Sequence, residues 1–163
     1  MRIFPFLAGP ILAATAAFVA AESVDDIIEA ARSDCQSLEN GQFHQDPEAV
    51  VSIDLNGDGM ADTLVDTSRF SCSSSASLFA ANGGSELHAL VNGKTFSWQA
   101  LGWRVVPWED DTILLLARHG SYCGGYGYQR CYEAIAFSED QATSISQDSL
   151  TTDSVGKAAE NPE

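Results

Sequence analysis

The chain has 163 residues, of which 45% are hydrophobic and 19% are charged. This composition excludes collagen, a low-complexity disordered chain and a polytopic membrane protein, and the length fits one ordinary domain. Lysine and arginine number 8 against 23 aspartate and glutamate residues, which gives a formal net charge of −15. Because so acidic a chain repels phosphates and attracts cations, we expect no nucleic-acid partner.

Residues 1–21 have the features of an export signal. Arg2 is the only charged residue in this stretch, an apolar or small run follows it, and residues 19–21 are small, as signal peptidase requires. Pro5 and Pro10 interrupt the run, which is short for spanning about 30 Å of hydrocarbon, so a cleaved signal is favoured over an uncleaved anchor. We therefore expect a periplasmic or secreted protein that has no membrane contact after cleavage.

The chain after the signal predicts one helix followed by strands. Ser23 is a good N-cap, apolar residues then recur at helical spacing, and Gly41 follows, so a helix is predicted over 24–38. Asn92-Gly93 between two alternating runs is a strong signal for a two-residue hairpin. Because no helix separates the strands, the predicted fold class is α+β, with one N-terminal helix packed on a mainly antiparallel sheet. The strands are predicted over 48–55, 63–70, 87–91, 94–98, 102–108, 112–119 and 131–137.

The composition changes at Ser138. Serine, threonine, aspartate, glutamate and glutamine dominate from there on, and apolar residues are too sparse to form a core. We therefore predict a single folded domain over 22–137 and a disordered acidic tail over 138–163.

Four cysteines follow the signal, namely Cys35, Cys72, Cys123 and Cys131. An even number in an oxidising compartment indicates two disulfides, and three pairings are possible. The segment 123–131 is short and glycine-rich, so we favour a bond between its ends, which leaves Cys35 to pair with Cys72. A zinc site is disfavoured, because there is no C-x-x-C motif and the three histidines are scattered.

The segment 54–62, with the sequence DLNGDGMAD, has the spacing of a cation-binding loop. Oxygen-bearing side chains fall at its first, third, fifth and ninth positions, with Gly59 at the sixth. Calcium takes six to eight oxygen ligands, and glycine allows the chain reversal that turns alternate side chains inward. A solvated hairpin turn without metal is the plainer alternative. The predicted calcium ligands are the side chains of Asp54, Asn56, Asp58 and Asp62 and the main-chain carbonyl of Met60.

The loop resembles the calcium loop of FG-GAP and integrin-type β-propeller repeats, D-x-[DN]-x-[DN]-G-x-x-D between two strands. The resemblance implies the same five calcium ligands. It covers one short segment that does not repeat, so a propeller fold is not implied. An EF-hand is disfavoured, because Val65 stands where its bidentate glutamate belongs and because strands flank the loop. In overall layout the chain resembles small secreted bacterial proteins of unknown function.

The expected function is that of an exported, monomeric, non-enzymatic module with one structural calcium ion. One alternative is a periplasmic inhibitor of a secreted hydrolase such as lysozyme, which would present the 123–131 loop. Tyr122, Tyr126 and Tyr128 lie in or beside that loop, where exposed tyrosines suit contact with a protein or a glycan. A second alternative, a hydrolase, is disfavoured because no nucleophile–base pair stands out in the sequence.

Overall fold

A computed structural model describes residues 22–109, 111–139 and 141–146. The predicted signal at 1–21 and most of the predicted tail therefore lie outside the described residues. Within the described part, no helix is long enough and apolar enough to span a membrane. The described residues form one α-helix and mostly antiparallel sheets, with two disulfides.

Helix α1, Val24–Ser37, begins where its sequence provides an N-cap. The Ser23 hydroxyl accepts from the Asp26 N–H at 3.2 Å, and the Asp26 carboxylate accepts from the Ser23 N–H at 2.9 Å, which forms a capping box. Ile27, Ala31 and Cys35 are buried on one face of the helix. The predicted helix is confirmed to within one residue.

The strands that follow form two larger sheets and one small ribbon. They are β1 Phe43–Gln45, β2 Val50–Ile53, β3 Asp62–Asp66, β4 Phe70–Cys72, β5 Ala80–Ala81, β6 Gly84–Val91, β7 Lys94–Ala100, β8 Gly102–Trp108, β9 Asp111–Arg118, β10 Cys131–Ser138 and β11 Gln141–Ser146. The N-terminal sheet has the order β2-β3-β6-β7, and the short β5 pairs with the start of β6. The C-terminal sheet is a meander in the order β8-β9-β10-β11, and β1 pairs with β4 as a separate ribbon.

The N-terminal sheet is the middle of three layers. Leu64 and Leu87 on one of its faces pack with Leu114 and Ile135 of the C-terminal sheet. Val65, the neighbour of Leu64 on β3, belongs to a second core together with residues of α1. Because successive residues of a strand face opposite sides, this alternation places α1 and the C-terminal sheet on opposite faces of the N-terminal sheet.

Three features differ from the sequence-based predictions. The predicted strand 63–70 is interrupted, because the Asp66 carboxylate accepts from the Ser68 N–H at 2.9 Å and caps a 3-10 turn at Thr67–Arg69. Part of the predicted tail forms strand β11, because 141–146 pair with residues 133–138 of β10. Trp108 ends the predicted strand 102–108, and a tryptophan in a strand is expected to pack in the core, but its side chain is 65% exposed.

Both favoured disulfide pairings are present. Cys35–Cys72 joins α1 to β4, and Cys123–Cys131 closes the glycine-rich loop before β10. No cysteine in the described part of the chain is free. Two disulfides are compatible with an extracellular location.

Candidate metal site

The acidic loop joins β2 to β3 at the edge where these two strands end. Ile53 and Asp62 are the last paired residues of the hairpin, so 54–61 project beyond the sheet. Leu55 anchors the loop, because its side chain is only 1% exposed and packs in the core between the sheets. The Leu55 N–H donates to Oδ2 of Asp62 at 2.9 Å, which ties the two ends of the loop together.

Backbone N–H groups inside the loop point at its carboxylates. Oδ1 of Asp54 accepts from the Gly57 N–H at 2.7 Å, and Oδ2 accepts from the Gly59 N–H at 2.9 Å. Both glycines have positive φ angles, 75° and 80°, at which the backbone of a residue with a side chain would be strained. The two positions therefore require glycine for the loop to close around Asp54.

Asp58 is held in the same way. Its Oδ1 accepts from the Met60 N–H at 2.7 Å, and its Oδ2 accepts from the Asn56 amide at 3.0 Å. These two hydrogen bonds lower the pKa of Asp58 below its usual value of 3.8. Asp58 is therefore ionised at neutral pH.

Asp62 is in the opposite electrostatic position. It is only 6% exposed, and burial raises the pKa of its carboxyl above 3.8, with the charges of Asp58 and Asp54 adding to the increase. The Leu55 N–H opposes this increase in part. Three carboxylates of the loop thus lie close enough to repel one another. The repulsion is seen in the raised pKa of Asp62, the buried member of the three.

Two turns from elsewhere in the chain support the loop. The main-chain carbonyl of Glu139, at the turn after β10, accepts from the side-chain amides of Asn56 at 3.3 Å and Asn92 at 2.9 Å. Asn92 lies in the β6–β7 turn, and its amide also contributes to the lowered pKa of Asp58. The loop is therefore in contact with both sheets. Sequence reasoning missed Asn92 and Glu139 as supports, because no local pattern indicates which distant turns will meet.

The structure brings the predicted side-chain ligands into one hydrogen-bonded loop. Met60 takes part through its N–H, and its side chain is 62% exposed. Over the described residues, however, no group of three or more His, Cys, Asp or Glu side chains is arranged to hold a metal ion. The carboxylates accept hydrogen bonds from the loop's own backbone instead.

The tyrosines assigned to a partner surface lie apart from the acidic loop. Tyr126 and Tyr128 are 72% and 81% exposed, and their rings stack in parallel with centroids 5.9 Å apart. The Cys123–Cys131 disulfide closes the segment that carries both. Tyr122 instead donates its hydroxyl to Oε1 of Gln99 at 2.8 Å.

A serine and a histidine that the sequence analysis did not pair also lie together. Ser97 Oγ is 2.9 Å from Nδ1 of His88, and Nε2 of His88 is 3.8 Å from Oε2 of Glu86. The Asn92-Gly93 hairpin was itself a signal, because a two-residue turn places His88 directly opposite Ser97. Applying that register to polar residues would have found the pair.

No protein-family model matches the chain, and no curated protein or solved structure is found to match it. The fold and the loop define a disulfide-bonded α+β protein with an acidic, glycine-containing loop, which connects two strands of one sheet and contacts a turn of the other.

Proposed function

We propose that the protein is an exported module that binds one calcium ion in the 54–62 loop, where the ion has a structural role. The observation that supports this most directly is Asp62, a buried carboxyl whose pKa is raised by burial and by the charges of Asp58 and Asp54. A divalent cation among these groups replaces repulsion with attraction, and at 4 Å one pair of unit charges is worth about 4 kcal/mol at an effective dielectric constant near 20.

The loop has oxygen ligands to spare. An ionised carboxylate offers about four lone-pair sites, so Asp54 and Asp58 each retain acceptor capacity after accepting two hydrogen bonds. Calcium accepts carboxylate, amide and main-chain carbonyl oxygens, which are the groups of Asp54, Asn56, Asp58, Asp62 and Met60. Because three carboxylates do not converge in the described residues, binding requires rotamer changes that turn free oxygens toward the ion.

The contacts around the loop favour a structural role for the ion. Glu139 of the C-terminal sheet and Asn92 of the N-terminal sheet meet at the loop through hydrogen bonds. An ion that fixes Asn56 and Asp58 thereby also fixes the junction of the two sheets. Export fits this role, because extracellular calcium modules work with dissociation constants of about 10⁻⁴ to 10⁻³ M.

Thermal unfolding with calcium and with a chelator tests the proposal. Saturation at about 100 times the dissociation constant adds about 2.7 kcal/mol to the free energy of unfolding, which raises the midpoint by roughly 10 °C for a domain of this size. Asp58→Ala should remove the difference between the two conditions. Asp46→Ala is the matched control, because Asp46 also accepts from a nearby N–H, that of Glu48, but lies outside the loop. A calcium shift that persists in Asp58→Ala contradicts the ligand assignment.

The exposed pair Tyr126 and Tyr128, on the loop closed by the Cys123–Cys131 disulfide, favours a second candidate function. This function is inhibition of a secreted hydrolase such as lysozyme. Two parallel, exposed rings on a disulfide-closed loop provide a rigid aromatic surface with little conformational entropy to lose on binding. Purified lysozyme is the probe, with cell-wall hydrolysis as the readout. Tyr126→Ala should relieve inhibition, and Tyr132→Ala, a half-exposed tyrosine outside the loop, should not. Absence of inhibition by the wild type rules out lysozyme as the target.

A further inference from the structure

A groove of about 680 Å³ runs between α1 and the strands β5, β6 and β7. Small-molecule sites in proteins typically measure about 300–1,000 Å³, so this groove is large enough for a substrate. It is on the helix side of the N-terminal sheet, whereas the acidic loop projects from the end of the same sheet. Its floor is formed by polar side chains of β6 and β7.

Four of these side chains form two neighbouring cross-strand pairs. His88 is directly opposite Ser97, and Glu86 is directly opposite Gln99. Residues two apart on a strand share a face, so all four project into the groove. His88 is only 8% exposed, while Ser97 is exposed at the groove surface.

We propose that this groove is a hydrolytic site for neutral acyl esters. Ser97 is the nucleophile and His88 is its general base, since Oγ and Nδ1 are within hydrogen-bond distance at 2.9 Å. Glu86 is a positioning residue, because its carboxylate lies 3.8 Å from Nε2 of His88 on the far side of the ring. A nucleophile, a base and a group that orients the base are the recurring parts of such sites on unrelated folds.

Gln99 closes one end of the groove. Its Oε1 accepts from the Tyr122 hydroxyl at 2.8 Å, and its Nε2 is directed toward Gly83. These contacts fix the side chain at the end of the groove where β5 and β6 meet.

The walls of the groove indicate the class of substrate. Leu78, Phe79 and Ile27 provide an apolar lining for an acyl chain. Glu22 and Asp34 also line the groove, and together with Glu86 they make it negative. Because these carboxylates repel an anionic substrate, the expected substrate is a neutral ester.

The reaction balances in two steps with water as the co-reactant. Oγ of Ser97 bonds to the ester carbonyl carbon while His88 takes the hydroxyl proton, and the ester C–O bond breaks as that proton passes to the leaving alcohol. Water then attacks the acyl-serine, with His88 again taking and returning a proton. The products are a carboxylic acid, an alcohol and the unchanged protein.

The test uses the full chain with both disulfides formed and calcium present. A fluorophosphonate should label the wild type, mass spectrometry should place the adduct on Ser97, and p-nitrophenyl butyrate should be hydrolysed with saturation. Ser97→Ala should lose both the adduct and the turnover, and His88→Gln should lower both rates by about 10² or more. Ser85→Ala is the matched control, because Ser85 lines the same groove but is opposite Ala100 instead of a histidine, and it should behave as wild type.

Glu86→Gln separates positioning from mere structural support. It should lower kcat with little change in KM, because the imidazole loses the carboxylate that orients it. A wild type that gives no adduct on Ser97 overturns the proposal, even if a variant fails to fold. An adduct on another serine, or equal labelling in His88→Gln, overturns it as well.

Discussion

Replacing Asp62 with asparagine separates the electrostatic cost of the acidic loop from its ability to bind calcium. Asparagine keeps the shape and an oxygen that can accept from the Leu55 N–H, but it removes a charge that burial and the charges of Asp58 and Asp54 disfavour. In chelator we therefore expect Asp62→Asn to be at least as stable as the wild type at neutral pH. In calcium we expect the order to reverse, because the variant has lost a ligand.

The size of the reversal follows from mass action. With a dissociation constant of about 10⁻⁴ M, calcium at about 1 mM adds about 1.4 kcal/mol to the free energy of unfolding of the wild type. At about 10 mM it adds about 2.7 kcal/mol. If the variant binds about tenfold more weakly, its gain at about 1 mM is only about 0.4 kcal/mol. Urea unfolding followed by tryptophan fluorescence resolves these differences. Magnesium at equal ionic strength is the control for unspecific salt effects.

The same experiment has a pH dependence with a defined sign. A carboxyl whose pKa is raised on folding contributes stability that is full below its unfolded value of 3.8 and is lost as the pH rises through its folded value. In chelator, the free energy of unfolding of the wild type should therefore rise relative to that of Asp62→Asn as the pH falls toward 3.8. Equal calcium gains in the two proteins, or none in the wild type, would refute the role assigned to Asp62.

Further predictions concern the stability of the fold. Replacing both cysteines of Cys123–Cys131 with serine should lower the free energy of unfolding by about 2.5 kcal/mol, and the same change at Cys35–Cys72 should lower it by about 4 kcal/mol. The difference arises because the two sequence separations are 8 and 37. Urea unfolding of the two variants measures it. Leu116→Ala should cost about 2–5 kcal/mol in the same assay, because this side chain is fully buried between the sheets. The Ser23 side chain and backbone hold the pKa of Asp26 below 3.8, so Asp26 contributes stability above pH 3.8 that is lost as the pH falls through its folded pKa. Thermal unfolding measured across this pH range should show that Asp26→Ala loses less stability on acidification than the wild type does.

Elements with local signals could be predicted from the sequence. Ser23 begins α1 because its side chain satisfies a backbone N–H within one turn, and Asn92-Gly93 forms the β6–β7 turn because both residues adopt positive φ, 47° and 74°. These interactions involve residues close in sequence. The division of the strands into two sheets was not predicted, because it depends on which apolar faces meet across the whole chain.

The candidate sites show the same limit. Asp54, Asn56, Asp58 and Asp62 could be identified because their hydrogen bonds are made within the loop, at separations of two to seven residues. The contact with Glu139 bridges 83 residues from Asn56, and no local pattern indicates it. Pairing of His88 with Ser97 follows from the hairpin register, but the groove beside them depends on where α1 packs.

The two proposed sites lie on different parts of one sheet, which makes them separable by experiment. Asp62 is the first residue of β3, and Val65, three residues further on, is opposite His88. At about 3.3 Å per residue, His88 is displaced from the loop by about 10 Å along the strands, with Ser97 one strand further away. A chelator should therefore lower the unfolding temperature but leave the fluorophosphonate labelling rate of Ser97 within about twofold at 25 °C. Loss of labelling in a protein that remains folded would mean that the ion organises the groove as well as the loop.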